Sequence, residues 1–210
     1  MNFLALDTTK LKSYIFLNID GKNTIKVLEE TRKVSENLLV EVDNLLSKNG
    51  LTLNDIDIFG AVVGPGSFTG VRIGLATLKA FNNALNKKLV KVDSFEAFAE
   101  TIQNGVLILS STKTAVYYAK FATSKIIDRG VAEIDKLNEV FKGNKLYIIE
   151  ENLKNIENTE FIDNYETLVL KEFERKINEK DFVLDKDFAP LYLQLSQAEL
   201  NLKRKTDSGN

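Results

Sequence analysis

The sequence predicts two similar α/β lobes facing each other across a cleft. Three observations carry this. Short apolar runs bounded by turn residues alternate with segments of helical periodicity. The order strand-strand-strand-helix-strand occurs once before Asn104-Gly105 and again after it. The first strands of the two halves also align, Leu4-Ala5-Leu6-Asp7-Thr8-Thr9 against Leu107-Ile108-Leu109-Ser110-Ser111-Thr112, as an internal duplication would leave them. The chain has 210 residues, 44% of them hydrophobic, enough for two lobes of about 100 residues each. The expected division is an N-terminal lobe over 1–103 and a smaller C-terminal lobe over 104–210.

Residues 3–6 form a short apolar strand candidate that ends at Asp7-Thr8-Thr9. Strands over 13–19 and 24–30 flank Asp20-Gly21, a two-residue hairpin signal because that pair tolerates positive φ. Leu38, Leu39, Val42, Leu45 and Leu46 recur at helical spacing, and Asn49-Gly50 supplies the stop. Residues 56–63 are apolar nearly throughout and read as a buried strand. A second helix runs to about Leu85, and 89–92 form a strand. Ser94 is expected to cap a helix with Ala97, Phe98 and Ile102 on one face. In the second half, strands are expected over 106–109, 115–121 and 126–133. A helix over 137–141, a strand over 145–149 and a helix over 166–179 follow.

Composition narrows the chemistry. The formal net charge is −2, and there is neither histidine nor cysteine. Thiol nucleophiles, Ser-His relays and imidazole or thiolate metal sites are therefore excluded, and a peptidase reading has no nucleophile–base pair. Carboxylates, lysines, hydroxyls and backbone amides remain, so magnesium–phosphate chemistry is the class an enzyme would use. The balance is not basic enough for nucleic-acid binding by this chain alone. Lys203-Arg204-Lys205 reads as a solvated tail. No apolar run approaches the ~20 residues of a membrane span, and Asp7 comes too early for a secretory signal. A cytoplasmic protein is expected.

The segment Gly64-Pro65-Gly66-Ser67-Phe68-Thr69-Gly70, with Val71-Arg72-Ile73-Gly74 behind it, has the outline of a phosphate loop. It fits neither standard pattern. A Walker A loop places a lysine after its last glycine, whereas Val71 and Arg72 follow Gly70. The dinucleotide fingerprint needs G-x-G-x-x-G in the first strand–helix turn, and the spacing here is one residue too wide and in the wrong unit. Two readings remain. One is a tight strand-to-helix turn that needs glycine angles. The other is an anion site at a helix N-terminus capped by Ser67 or Thr69. The helix behind the loop has two faces. Val71, Leu75, Leu78 and Leu85 form one; Ile73, Ala76, Thr77, Ala80 and Ala84 form a flat second face suited to another helix.

These segments, with Ser35-Glu36-Asn37-Leu38-Leu39, Val92-Asp93-Ser94-Phe95-Glu96-Ala97, Pro190-Leu191-Tyr192-Leu193 and Ala198-Glu199, resemble the bacterial TsaB (YeaZ) family. The resemblance covers most of the first lobe well and the second lobe thinly. It implies a duplicated actin-like ATPase (ASKHA) fold with a reduced second lobe. It also implies a non-catalytic scaffold subunit of the system that forms threonylcarbamoyladenosine next to the tRNA anticodon. Such a subunit binds a TsaD-like catalytic paralogue and supports recruitment of a TsaE-like ATPase. It meets tRNA only indirectly through the complex, and the unbound chain is expected to self-associate as a homodimer through the same exposed apolar surface. The implied contacts are Ser35, Leu38, Leu39, Val42, Leu45 and Leu46 on the first helix, with Thr69, Gly70, Arg72, Ile73, Ala76, Thr77, Lys79 and Ala80 on the second. No catalytic residue, metal or cofactor is expected in the chain alone, and a nucleotide only at the partner interface.

Asp7, Thr8, Thr9, Gly64, Gly66 and Ser67 are left as a vestigial nucleotide or anion site. The alternative function is a small actin-like ATPase or kinase that uses Asp7 and the glycine loop. Against it, the second lobe has no glycine-rich loop, and Ser110 stands where an acid would complete a magnesium–phosphate clamp. The sequence departs from the family pattern at Val34, at Ser110-Ser111-Thr112 and at Gln194.

Overall fold

Asp20 and Gly21 both adopt positive φ, 47° and 86°, which closes β2 (Ser13–Ile19) onto β3 (Lys22–Leu28) with the twist a two-residue hairpin requires. β1 (Phe3–Asp7) adds antiparallel to β2 and parallel to β4 (Ile58–Val62), and β5 (Lys88–Val92) follows parallel to β4. The first sheet thus runs β3-β2-β1-β4-β5. The second repeats it: β6 (Gly105–Ser110), β7 (Ala115–Ala122), β8 (Lys125–Glu133), β9 (Leu146–Ile148) and β10 (Thr159–Phe161) assemble as β8-β7-β6-β9-β10, with the same parallel and antiparallel senses. The β7–β8 hairpin turns through Thr123 and Ser124, at φ 50° and 60°. The molecule is a computed structural model and describes residues 1–28 and 34–193. Gln194, Ala198, Glu199 and Lys203-Arg204-Lys205 lie outside the described residues. This two-lobed duplication is the actin-like architecture.

The sheets bury both faces, and period-2 alternation decides which side chain goes where. Leu4, Leu6, Ile15, Leu17, Phe59 and Ala61 face α1 (Val34–Lys48) and α2 (Phe68–Leu85). Phe3, Ala5, Tyr14, Phe16, Ile58 and Val62 face the opposite way, into a core shared with Leu107, Leu109, Tyr117 and Ala119 of the second sheet. A third cluster under the second sheet gathers Val106, Ile108, Val116, Leu137, Phe141 and Leu146.

α4 (Tyr165–Asn178) buries Tyr165, Val169, Leu170, Phe173 and Ile177, the stripe expected of a helix with one apolar face. It lies on the first sheet. A Cβ at Gly60 would come within 2.9 Å of the Phe173 ring, so the strand carries glycine where the helix approaches. Past α4 the chain stays with that sheet. Val183 bridges to Leu89, Phe188 is fully buried with α1 and α2, and the Leu191 amide donates to the Val63 carbonyl at 2.8 Å. Residues 165–193, beyond the expected 103/104 division, therefore pack on the N-terminal sheet.

Three local expectations need correction. No full helix follows Ser94: only the 3-10 turn Glu96–Phe98 forms. Just before that turn the Asp93 Oδ1 accepts from the Phe95 amide at 2.8 Å, while the Ser94 hydroxyl is buried without a hydrogen-bond partner among the described residues. Ala97, Phe98 and Ile102 are all buried, but against the core between the sheets. The helix expected over 137–141 shortens to a single turn, α3 (Leu137–Val140). β10 was not expected, because three residues are too few to show a period. Among the described residues, no helix is long and apolar enough to cross a membrane.

Candidate functional site

The glycine loop grips the end of β1. Ser67 caps α2, its Oγ accepting from the Gly70 amide at 3.1 Å, and the Ser67 amide donates to the Thr9 carbonyl at 2.8 Å. Thr8 Oγ1 donates to the Gly70 carbonyl at 2.6 Å. A Cβ at Gly66 would fall 2.5 Å from the Thr9 carbonyl oxygen, and one at Gly70 would overlap the Thr8 carbonyl oxygen. The glycines therefore answer to the close approach of Thr8 and Thr9.

Asp7 is fully buried. Its Oδ1 accepts from the Thr9 amide at 2.8 Å and its Oδ2 from the Tyr165 hydroxyl at 2.5 Å. Burial and the neighbouring Asp7 hold the Tyr165 phenol well above its ordinary range. Of the six residues expected at a vestigial anion site, Thr8, Thr9 and Ser67 line a cavity of about 440 Å³ between the lobes. Asp7 is tied instead to α4. Gly64 and Gly66 shape the turn, where a Cβ on Gly64 would lie 2.9 Å from the Leu191 carbonyl.

Sequence reasoning missed the cross-lobe charges. Lys10 and Glu150 pair at 3.5 Å on the wall of this cavity, with side chains only 7% and 12% exposed. Glu150 also accepts from the Ser110 amide at 3.0 Å. Arg129 on β8 donates to Asp93 at 2.5 Å, and burial pushes the Asp93 carboxyl up to about 6 despite that cation. These partners lie 140 and 36 positions apart, and no local pattern signals them.

The expected docking residues divide. α1 and α2 lie side by side on the first sheet. Leu38, Val42, Leu45 and Leu46 are buried in the core beneath them, so as a surface they are corrected: an amphipathic helix has one apolar stripe, and here the sheet uses it. Leu39, 52% exposed, and its neighbour Val40, 57% exposed, point outward from α1. On α2, Thr69, Arg72, Ala76 and Ala80 are exposed, while Gly70, Ile73, Thr77 and Lys79 are half-buried. Arg72 and Lys79 already have partners inside the chain. Arg72 Nε donates to the Tyr192 hydroxyl at 2.8 Å, and its guanidinium lies 4.0 Å from the Phe68 ring centroid. Lys79 Nζ donates to the Asp185 carbonyl at 3.1 Å. The Ser35 side chain lies outside the described residues.

Fold and site together define a duplicated, two-lobed actin-like protein with an inter-lobe cavity and an exposed α2 face on which Thr69, Ala76 and Ala80 are small. A family model described as TsaD, tRNA N6-adenosine threonylcarbamoyltransferase, matches residues 28–183, and the chain belongs to that family. Within it the similarity runs to the TsaB/YeaZ members. The chain is 27% identical over 133 residues to the Haemophilus influenzae tRNA threonylcarbamoyladenosine biosynthesis protein TsaB, covering 60% of this chain and 56% of that one. It is 33% identical over 92 residues to the TsaB of Buchnera aphidicola subsp. Baizongia pistaciae, covering 40% and 42%. The chain thus spans about half the length of these curated relatives. The solved structure of YeaZ from Pseudomonas aeruginosa superposes with a TM-score of 0.71 at 20% identity, covering 91% of this chain and 99% of that one, and shares its fold.

Proposed function

We propose that this chain is a non-catalytic scaffold subunit in the formation of threonylcarbamoyladenosine next to the tRNA anticodon. It docks a TsaD-like catalytic paralogue, supports recruitment of a TsaE-like ATPase, and meets tRNA only through that complex in the cytoplasm. The observation that carries the reading is the exposed face of α2, where Thr69, Ala76 and Ala80 are small and Arg72 is held against Phe68 and Tyr192, on the helix that lies beside α1 with its outward Leu39 and Val40. Small side chains let a partner helix come close, and apolar groups left on a surface favour being covered. The same face supports a homodimer when the paralogue is absent. The non-catalytic part of the reading is supported by the absence of histidine and cysteine and by Asp7, whose two oxygens are taken by Thr9 and Tyr165. The alternative, an ATPase built on Asp7, would need a carboxylate that is fully buried and does not line the inter-lobe cavity.

The deciding experiment is size-exclusion chromatography with light scattering, on the chain alone and mixed with its TsaD-like paralogue. A one-to-one complex that forms at the expense of a homodimer is the expected result. A chain that stays monomeric and ignores the paralogue would overturn the reading.

A further inference from the structure

Among the described residues, Arg129 pairs with Asp93 and Arg175 with Glu172 and Glu179, whereas Arg72 pairs with no carboxylate. The groups that hold Arg72 are neutral. Its Nε donates to the Tyr192 hydroxyl at 2.8 Å, and the Phe68 and Tyr192 ring centroids lie 4.0 and 5.8 Å from the guanidinium carbon. Of its donors only Nε has an acceptor among the described residues, so the two terminal nitrogens keep a fork that matches a carboxylate.

The side chain is nonetheless held in place. Phe68 stands one helical turn before Arg72, and its ring stacks on Tyr192 with centroids 4.5 Å apart and planes at 20°. Tyr192 comes from 120 positions further along the chain and is fixed by its neighbour. The Leu191 amide donates to the Val63 carbonyl, and the Leu191 carbonyl closes against Gly64, where a Cβ would lie 2.9 Å away. An arginine already stacked and bonded gives up less rotamer freedom on association than a free one. Arg72, Ala76 and Ala80 are all exposed and follow at four-residue intervals, so they form one stripe along α2. Arg72 stands at its N-terminal end with Tyr192, 41% exposed, beside it.

We infer that the docking face is composite, and that Arg72, set by Phe68 and by Tyr192 of the returning C-terminal segment, takes a carboxylate of the catalytic paralogue as a bidentate pair, a role that rests on the docking reading. Charge complementarity selects the acid. A partner that covered this stripe without one would bury an unpaired guanidinium, which is strongly unfavourable. Arginine and tyrosine are also the residue types on which binding energy concentrates. Tyr192 is a positioning residue: its hydroxyl occupies Nε and leaves the terminal nitrogens to the partner.

The test is isothermal titration calorimetry of the full chain with its TsaD-like paralogue at low and high salt, with a thermal melt of each variant. Arg72→Gln should bind about thirtyfold more weakly or worse, with most of the salt dependence gone and the melt unchanged. Arg72→Lys keeps the charge but not the fork and should lose about tenfold. Tyr192→Phe should lose about fivefold in the parent and nothing further in the Arg72→Gln background, because the tyrosine acts through the arginine. If the parent forms the complex and Arg72→Gln binds as tightly, the ion pair is overturned while the docking reading stands. An Arg72→Lys affinity equal to the parent's would overturn the bidentate fork, and equal Tyr192→Phe losses in both backgrounds would overturn the positioning role. A parent chain that forms no complex overturns the docking reading and the ion pair together. Should Tyr192→Phe melt below the parent, the two Arg72 variants still decide the matter.

Discussion

Tyr165 donates a 2.5 Å hydrogen bond to Asp7, tying the first turn of α4 to the end of β1 across 158 positions of sequence. The phenol also packs beside Tyr14 and Phe98, with ring centroids 5.7 and 5.9 Å away. An acid that the sequence marks as a candidate phosphate-site group is thus part of the joint between helix and sheet. Tyr165→Phe keeps the ring packing and strands one carboxylate oxygen in the core. It should cost ~2 kcal/mol of stability, read as a lower urea midpoint, with binding to the paralogue unchanged. A midpoint equal to that of the parent would show that the bond adds nothing.

Ala76 is exposed on α2, so a long cation there leaves the core untouched. Ala76→Arg should retain the parent's melting temperature and lose the complex with the paralogue on size exclusion. An unfolded variant would mean that this face is internal core, and an intact complex would move the interface elsewhere.

Gly70 has no room for a side chain against the Thr8 carbonyl. Gly70→Ala should cost about 1–3 kcal/mol or more through overpacking, measured by denaturant unfolding. Since the clash lies beneath the loop, the cost should be the same with and without the paralogue.

Asp93 should give the chain an inverse pH signature. Burial raises its carboxyl from 3.8 to about 6 in the folded state, over the opposing pull of its own bond from Phe95 and of Arg129 and Lys176. Between about pH 4 and pH 6 the folded chain therefore holds a proton that the unfolded chain has released. This contribution to stability is fully present below pH 4 and is lost as pH rises through 6. Subtracting the unfolding free energies of Asp93→Asn from those of the parent should isolate this term. The difference should fall with rising pH across that window by a few kcal/mol, on the order given by linkage. A flat difference would show that Arg129 keeps Asp93 ionised throughout.

Much of the fold could be read from residue order. The glycine loop and α2 announce themselves because glycine spacing, the Ser67 cap and a 3.6-residue period all coincide there, and the Asp20-Gly21 hairpin is fixed by local conformation. Thr123-Ser124 makes an equivalent turn with no glycine, so local preference alone was silent. Periodicity showed that Leu38, Val42, Leu45 and Leu46 share a face, but not whether sheet or partner covers it, because either surface is apolar. The docking of α4 and the pairs Lys10–Glu150 and Asp7–Tyr165 depend on contacts between distant segments.

The return of residues 165–193 to the first sheet has a consequence for synthesis. The core beneath the second sheet draws on residues between Val106 and Phe161. The first sheet waits for α4 on one face and for Phe188 on the other. As the chain leaves the ribosome, all five strands of the later-encoded sheet and one of its cores precede α4, whereas the first sheet awaits both α4, which also enters the core the two sheets share, and Phe188. The second copy is nested inside the first like an inserted clause, and the N-terminal lobe is the last to close.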